Sequence, residues 1–169
     1  MSGTGFEKLS VLVVDDNPHM RSLLRALLNC AGVTQVCEAA DGTAAITALA
    51  DPTIDLVLTD MAMNPMDGVE FTRRVRNERD SPNPFVPVIM ITGHAERARV
   101  EEARDAGVTE FLAKPLTSQN LYARIAEVVE RPRVFVRCDG YFGPDRRRRR
   151  ADDYAGPWRR KDDFEKVEL

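Results

Sequence analysis

The sequence predicts an α/β fold: a doubly wound parallel sheet of five strands with helices on both faces. Three observations predict it. Between residues 9 and 130, short aliphatic runs alternate five times with stretches whose apolar residues recur at helical spacing. The strongest runs are apolar at consecutive positions, the pattern of a strand covered on both faces. Four of the five runs stop at a charged or hydroxyl side chain, and in sheets of this kind ligands bind beyond the carboxyl ends of the strands. Right-handed crossovers are the default connection between such strands.

Val11-Leu12-Val13-Val14 is the first strand and ends at Asp15-Asp16. Pro18 suits a first helical turn, after which Met20, Leu23, Leu24, Leu27, Leu28 and Ala31 mark a helical face until Gly32 stops it. Gln35 to Ala39 reads as a weaker strand, and Asp41-Gly42 opens a helix through Leu49. Asp55-Leu56-Val57-Leu58-Thr59 is the third strand, broken by Asp60, and a helix from about Asp67 offers Val69, Phe71, Thr72 and Val75. The Pro-rich connection Ser81-Pro82-Asn83-Pro84 leads into Val86-Pro87-Val88-Ile89-Met90-Ile91, ending at Thr92. Arg97 to Ala106 is helical and Gly107 caps it. Glu110-Phe111-Leu112-Ala113 is the fifth strand, ending at Lys114-Pro115, and the last helix spans about Ser118 to Glu130.

The 169 residues suit one domain of ordinary size plus an appendage. Residues 1–8 read as an N-terminal segment, 9–130 as the domain, and 131–169 as a basic extension of Arg, Gly, Pro and aromatic residues, partly disordered. Charge marks the boundary. Residues 1–130 carry 12 basic against 19 acidic side chains, net −7, whereas 131–169 carry 12 against 8, net +4. With 43% hydrophobic and 30% charged residues, the composition excludes a wholly disordered chain, a collagen-like chain and a disulfide scaffold. No apolar run approaches the ~20 residues of a membrane helix. The first ten residues lack a charged-then-apolar leader, and Cys30, Cys37 and Cys138 sit at no metal spacing. A reducing cytoplasm is the expected location.

The fold brings Asp15, Asp16, Asp60, Thr92 and Lys114 to one edge of one sheet. Taken singly, each has a plain structural role: Asp15-Asp16 as a helix cap before Pro18, Asp60 and Thr92 as turn residues, Lys114 as a solvated charge. Together they make a chemical site. Three close carboxylates either bind protons or share a cation, and a carboxylate cluster without His or Cys selects a hard ion such as Mg²⁺. Lys114 supplies a point charge for a phosphoryl group and Thr92 a hydroxyl donor. A carboxylate can also attack phosphorus to give an acyl phosphate. The remaining groups then neutralise charge on the transferring phosphoryl.

Val-Leu-Val-Val-Asp15-Asp16, the stretch from Asp60 to Asp67-Gly68, Ile91-Thr92-Gly93, and Lys114-Pro115 with Phe111 three residues ahead resemble the receiver domain of two-component response regulators. The likeness covers residues 9–130 and is nearest to the stand-alone chemotaxis type. It implies a flavodoxin-like sheet of order 2-1-3-4-5 and a single-domain response regulator rather than an enzyme. By the same resemblance, Asp60 accepts a phosphoryl group from a sensor histidine kinase or phosphotransfer protein. Asp15, Asp16, Asp60 and the Ala62 carbonyl hold Mg²⁺, Lys114 pairs with the phosphoryl group, and Thr92 and Phe111 switch the face of helix four, strand five and helix five. It further implies a cis Lys114–Pro115 bond, and tuning of dephosphorylation by the side chains at Ala62 and His94. One departure stands out: the family often reads Asp-x-x-Met-Pro, whereas Met63-Asn64-Pro65 places Pro one step later. An acid two residues after the nucleophile, as haloacid-dehalogenase-type hydrolases need, is absent at Ala62.

In the extension, Tyr141-Phe142-Gly143-Pro144-Asp145-Arg146-Arg147 and Tyr154-Ala155-Gly156-Pro157-Trp158-Arg159-Arg160 share the form Tyr-x-Gly-Pro-x-Arg-Arg. Thirty-nine residues are too few for an ordinary helix-turn-helix output domain. Three readings fit. In one, Tyr141, Arg146, Arg147, Tyr154, Trp158 and Arg159 anchor an arm on a protein, the domain's own acidic surface included. In another, Arg146 to Arg150 with the aromatics grips nucleic acid or anionic lipid, gated by phosphorylation. In the third, the segment only aids solubility. A short strand over Arg133–Val136, packing with Tyr141-Phe142 in a homodimer, is a further expectation. The sequence leaves open whether the protein gives an output or acts as a phosphate sink for a shared kinase.

Overall fold

The structure, a computed structural model, describes residues 5–77, 79–93 and 97–147, together with a strand at 165–167. Five strands, β1 (Ser10–Val14), β2 (Gln35–Ala39), β3 (Leu56–Asp60), β4 (Val88–Thr92) and β5 (Glu110–Ala113), pair in parallel in the order β2-β1-β3-β4-β5. They alternate with α1 (Pro18–Cys30), α2 (Gly42–Ala48), α3 (Gly68–Asn77), α4 (Arg97–Ala106) and α5 (Ser118–Glu130). The five expected strands and helices are all present.

Alternation of side chains along β1 divides the core into two layers. Val11 and Val13 face α1 and α5, packing with Leu24, Leu28, Leu121 and Ile125. Leu12 and Val14 face the opposite way, onto Leu49, Phe71 and Val75 of the α2–α3 side. Ala103 and Ala106 lay α4 over Met90, Met61 and Val69. Each fully buried Leu, Ile or Phe contributes about 1.5–3 kcal/mol. Met20 is half-buried and packs against the first of these layers.

Helix starts are fixed locally. Asn17 caps α1, its side chain accepting from the His19 amide at 2.9 Å, so neither Asp15 nor Asp16 is spent as the cap. Asp41 caps α2 by accepting from the amides of Thr43 and Ala44, and Thr117 and Asn120 form a reciprocal capping box at α5. Gly107 ends α4 with φ +101°, a conformation that L side chains resist. In the parallel register Val14 lies opposite Ala39 and Thr59, Asp60 opposite Ile91, and Thr92 opposite Ala113. The carboxyl ends of β1, β3, β4 and β5 therefore lie level along one edge. Among the described residues, two X–Pro bonds are cis: Lys114–Pro115, as the resemblance implies, and Asn64–Pro65 where the loop departs from the family pattern.

The extension contributes a second, three-stranded sheet. β6 (Phe135–Cys138) and β7 (Tyr141–Pro144) form an antiparallel hairpin, and β8 (Glu165–Val167) pairs antiparallel on the other side of β6. The strand at Arg133–Val136 is thus present but begins at Phe135. Aromatic packing ties it to the rest of the chain. Phe135, Phe142 and Phe85 form a three-ring cluster with centroids 5.3–5.7 Å apart.

Candidate functional site

Asp60 closes β3 and is almost fully buried. Lys114, which follows β5, donates from Nζ to Asp60 Oδ1 at 3.0 Å, and the Ala62 amide donates to Oδ2 at 3.2 Å. Residues 54 positions apart in sequence thus meet across the sheet edge. The loop beneath is pinned by backbone: the Gly68 amide donates to the Met61 carbonyl at 3.1 Å. Glycine is required at 68, because a Cβ there would lie 2.2 Å from the Asp60 carbonyl oxygen. Asp67 accepts from the Glu70 amide through Oδ1 and pairs through Oδ2 with Arg99 of α4 at 3.0 Å. Arg99 carries no mark in the sequence. No spacing rule marks it, since its partner lies 32 residues away.

Asp15 follows β1 and is 2% exposed. Its Oδ1 accepts from the Asn17 amide at 2.8 Å, while Oδ2 is buried without a hydrogen-bond partner. Burial pushes the Asp15 carboxyl above the usual range; the Asn17 amide offsets part of this, and the Asp60 charge adds to it. Asp16 is exposed. Among the described residues, no three acidic, His or Cys side chains close into a ready-made metal cage. Uncompensated carboxylates repel, and Mg²⁺ needs only one or two of them because it keeps several waters. The orphaned oxygen of Asp15 and the all-oxygen donor set fit that ion.

Thr92 ends β4 and is buried beside the site edge. Phe111 of β5 is half-buried and packs against the cluster of Met61, Val69, Met90, Ala103, Ala106 and Val108. Ala62 is exposed at the site. His94 lies outside the described residues, as do Tyr154, Trp158 and Arg159. Tyr141 and Arg146 are far from open contacts: the Tyr141 hydroxyl donates to the Pro144 carbonyl at 2.8 Å. Arg146 stacks over the Tyr141 ring at 4.0 Å and pairs with Asp105 of α4 at 2.9 Å. The Arg147 amide donates to Asp145. Among the described residues, no helix is long and apolar enough to cross a membrane.

Chemically, the site joins a buried carboxylate held by an ammonium group, a second carboxylate with a free oxygen, and a hydroxyl. That set can hold a hard cation and receive an oxyanion next to it.

Residues 11–126 match the response regulator receiver domain. The chemotaxis protein CheY of Pseudomonas aeruginosa is 37% identical over 123 residues, spanning 73% of this chain and 98% of that protein. Chemotaxis protein CheY-3 of Vibrio cholerae is 33% identical over 125 residues, spanning 74% and 95%. The solved structure of the Vibrio cholerae chemotaxis protein CheY4 matches with a TM-score of 0.65 at 31% identity, covering 71% of this chain and 98% of that one. The family match ends before the hairpin of the extension begins.

Proposed function

The chain belongs to the response regulator receiver family, as a CheY-like receiver of two-component signalling, and on that premise we propose that Asp60 is its phosphoacceptor. The family is a signalling and phosphoacceptor domain, not a classical enzyme, and such domains interact with histidine kinases or phosphotransfer proteins.

The carboxylate of Asp60 attacks the phosphorus of a phosphohistidine on the donor. An O–P bond forms, the N–P bond breaks, and the imidazole leaves with the electron pair of that bond and takes up a proton. Lys114 is the observation that carries this reading, because its ammonium already sits 3.0 Å from Asp60. Esterification removes the charge from the carboxylate and places charge on the phosphoryl oxygens, so Lys114 follows it there. Thr92 at the end of β4 supplies a hydroxyl to another of those oxygens. Asp15, Asp16, Asp60 and the Ala62 carbonyl are the residues that would hold Mg²⁺, which supplies charge neutralisation for the transferring group.

Movement of Thr92 and of Phe111 carries the change to the surface of α4, β5 and α5, where the downstream protein binds. Arg146, first of the run Arg146–Arg150, is spent on Asp105 and Tyr141, which favours protein contacts over a nucleic-acid role for this part of the extension. The reading is tested by incubating the full chain with acetyl phosphate and Mg²⁺ and following phosphoryl uptake by intact mass. Uptake in the wild type and none in Asp60→Asn is expected; equal uptake by both would overturn it.

A further inference from the structure

The first copy of the Tyr-x-Gly-Pro-x-Arg-Arg repeat plays no part in phosphoryl transfer, yet its residues are used in docking β7 on the body. Gly143 lies against Gly107, the residue that ends α4. A Cβ at 143 would come 3.0 Å from the Gly107 Cα and 2.7 Å from the Tyr141 hydroxyl, and one at 107 would come 3.2 Å from the Phe142 carbonyl oxygen. The hairpin backbone therefore rests on the connection between α4 and β5. Three side-chain ties surround that contact. Arg76 of α3, buried, donates to the Gly107 carbonyl at 3.1 Å and the Pro84 carbonyl at 2.7 Å while stacking on the Phe135 ring at 5.0 Å. Arg146 pairs with Asp105 in the last turn of α4. Arg133, just ahead of β6, pairs with the buried Glu110 that opens β5, and Arg124 of α5 approaches the same carboxylate at 3.7 Å.

We propose that the hairpin is a built-in ligand of the α4–β5 connection that favours the unphosphorylated arrangement, so that hairpin docking and phosphoryl binding at Asp60 oppose each other. The inference rests on the Asp60 reading. Its physical basis is the shortness of β5. Three residues lie between Glu110, tied to Arg133 at one end of the strand, and Lys114 beyond the other. The docked hairpin fits a strand whose Lys114 holds Asp60 directly. A phosphoryl group on Asp60 draws Lys114 to a new partner, and a displacement at that end of so short a strand reaches Glu110 and the α4–β5 connection. Coupling between two sites is reciprocal: what phosphoryl binding costs the hairpin, the hairpin costs phosphoryl binding.

The test uses the full chain and beryllofluoride with Mg²⁺, a mimic of the phosphoryl group, titrated by calorimetry. Phe142→Ala, which removes one ring of the three-ring cluster, should bind the mimic about fivefold more tightly than the wild type. Arg146→Asp should shift affinity in the same direction by less, and adding Asp105→Arg should restore the wild-type value; this pair leaves the aromatic cluster intact. Deuterium exchange at amides 135–144 of the wild type should quicken on loading the mimic. Equal or weaker binding by Phe142→Ala and Arg146→Asp overturns the inference while leaving Asp60 as acceptor. A wild type that binds no mimic overturns the Asp60 reading and this inference with it.

Discussion

Gly68→Ala is the sharpest geometric perturbation the site offers. A Cβ at 68 would lie 2.2 Å from the Asp60 carbonyl oxygen and 3.2 Å from Thr59 Oγ1, and the first of these is backbone that cannot rotate away. To reach ordinary contact, the end of β3 and the start of α3 must part by roughly an ångström, against the Gly68–Met61 hydrogen bond that joins them. Strain of this kind costs about 1–3 kcal/mol. The chemical effect is larger. The Asp60 carboxylate hangs from the displaced backbone and meets Lys114 at 3.0 Å, and a misplacement of ~1 Å at a reacting group costs about 100-fold in rate. The expected result is a lowered urea midpoint together with a fall of about two orders of magnitude in the initial rate of phosphoryl uptake from acetyl phosphate. A variant with wild-type midpoint and wild-type rate would refute the claim that this close approach positions Asp60.

Three other expectations concern the charges. The Asp15 carboxyl is raised by burial, so the folded state binds its proton more readily than the unfolded chain and ionisation costs stability at higher pH. Asp15→Asn should therefore raise the urea midpoint at about pH 7 without divalent ions, the gain shrinking as pH falls towards the ordinary carboxylate range near ~4; it should also reduce the stabilisation that Mg²⁺ gives the wild type. Lys114→Met should slow phosphoryl uptake by about 10²-fold, as loss of a fixed charge-stabilising group does, measured by the same intact-mass time course. Burial pushes the Arg76 guanidinium down to about 9, and it holds two carbonyls and one ring at once. Lysine cannot span those contacts, so Arg76→Lys should lower stability by about 1–3 kcal/mol in urea unfolding.

The sheet and its functional edge were legible because both follow from short-range rules. Val11 to Val14 and Val88 to Ile91 are continuous apolar runs, and Asp15, Asp60, Thr92 and Lys114 interrupt or follow such runs at their carboxyl ends. Parallel register then gathers those residues without further information. The hairpin was harder to read, although a signal existed: Asp139-Gly140 separates Phe135–Cys138 from Tyr141–Pro144 as a two-residue loop, with Gly140 at φ +73°. The surrounding Arg, Pro and Gly content masked it. An anchor on the domain's own acidic surface was among the expectations for Arg146, but the partners themselves could not be read. Gly143 against Gly107 and Arg146 on Asp105 are contacts between segments about 40 residues apart, and neither shows a periodicity. The same holds for Arg99 on Asp67 and Arg76 under Phe135. Arginines that look like solvated charges in the sequence prove to be ties between elements.

The acceptor itself can be read at one residue. An aspartyl phosphate is reduced by borohydride to homoserine, so treating the chain with acetyl phosphate and Mg²⁺, then borohydride, then sequencing the peptides by mass spectrometry locates the acylated side chain. The account predicts homoserine at position 60 and at no other aspartate. Homoserine at 15, 16 or 67 instead, or phosphoryl uptake with position 60 unchanged, would contradict it.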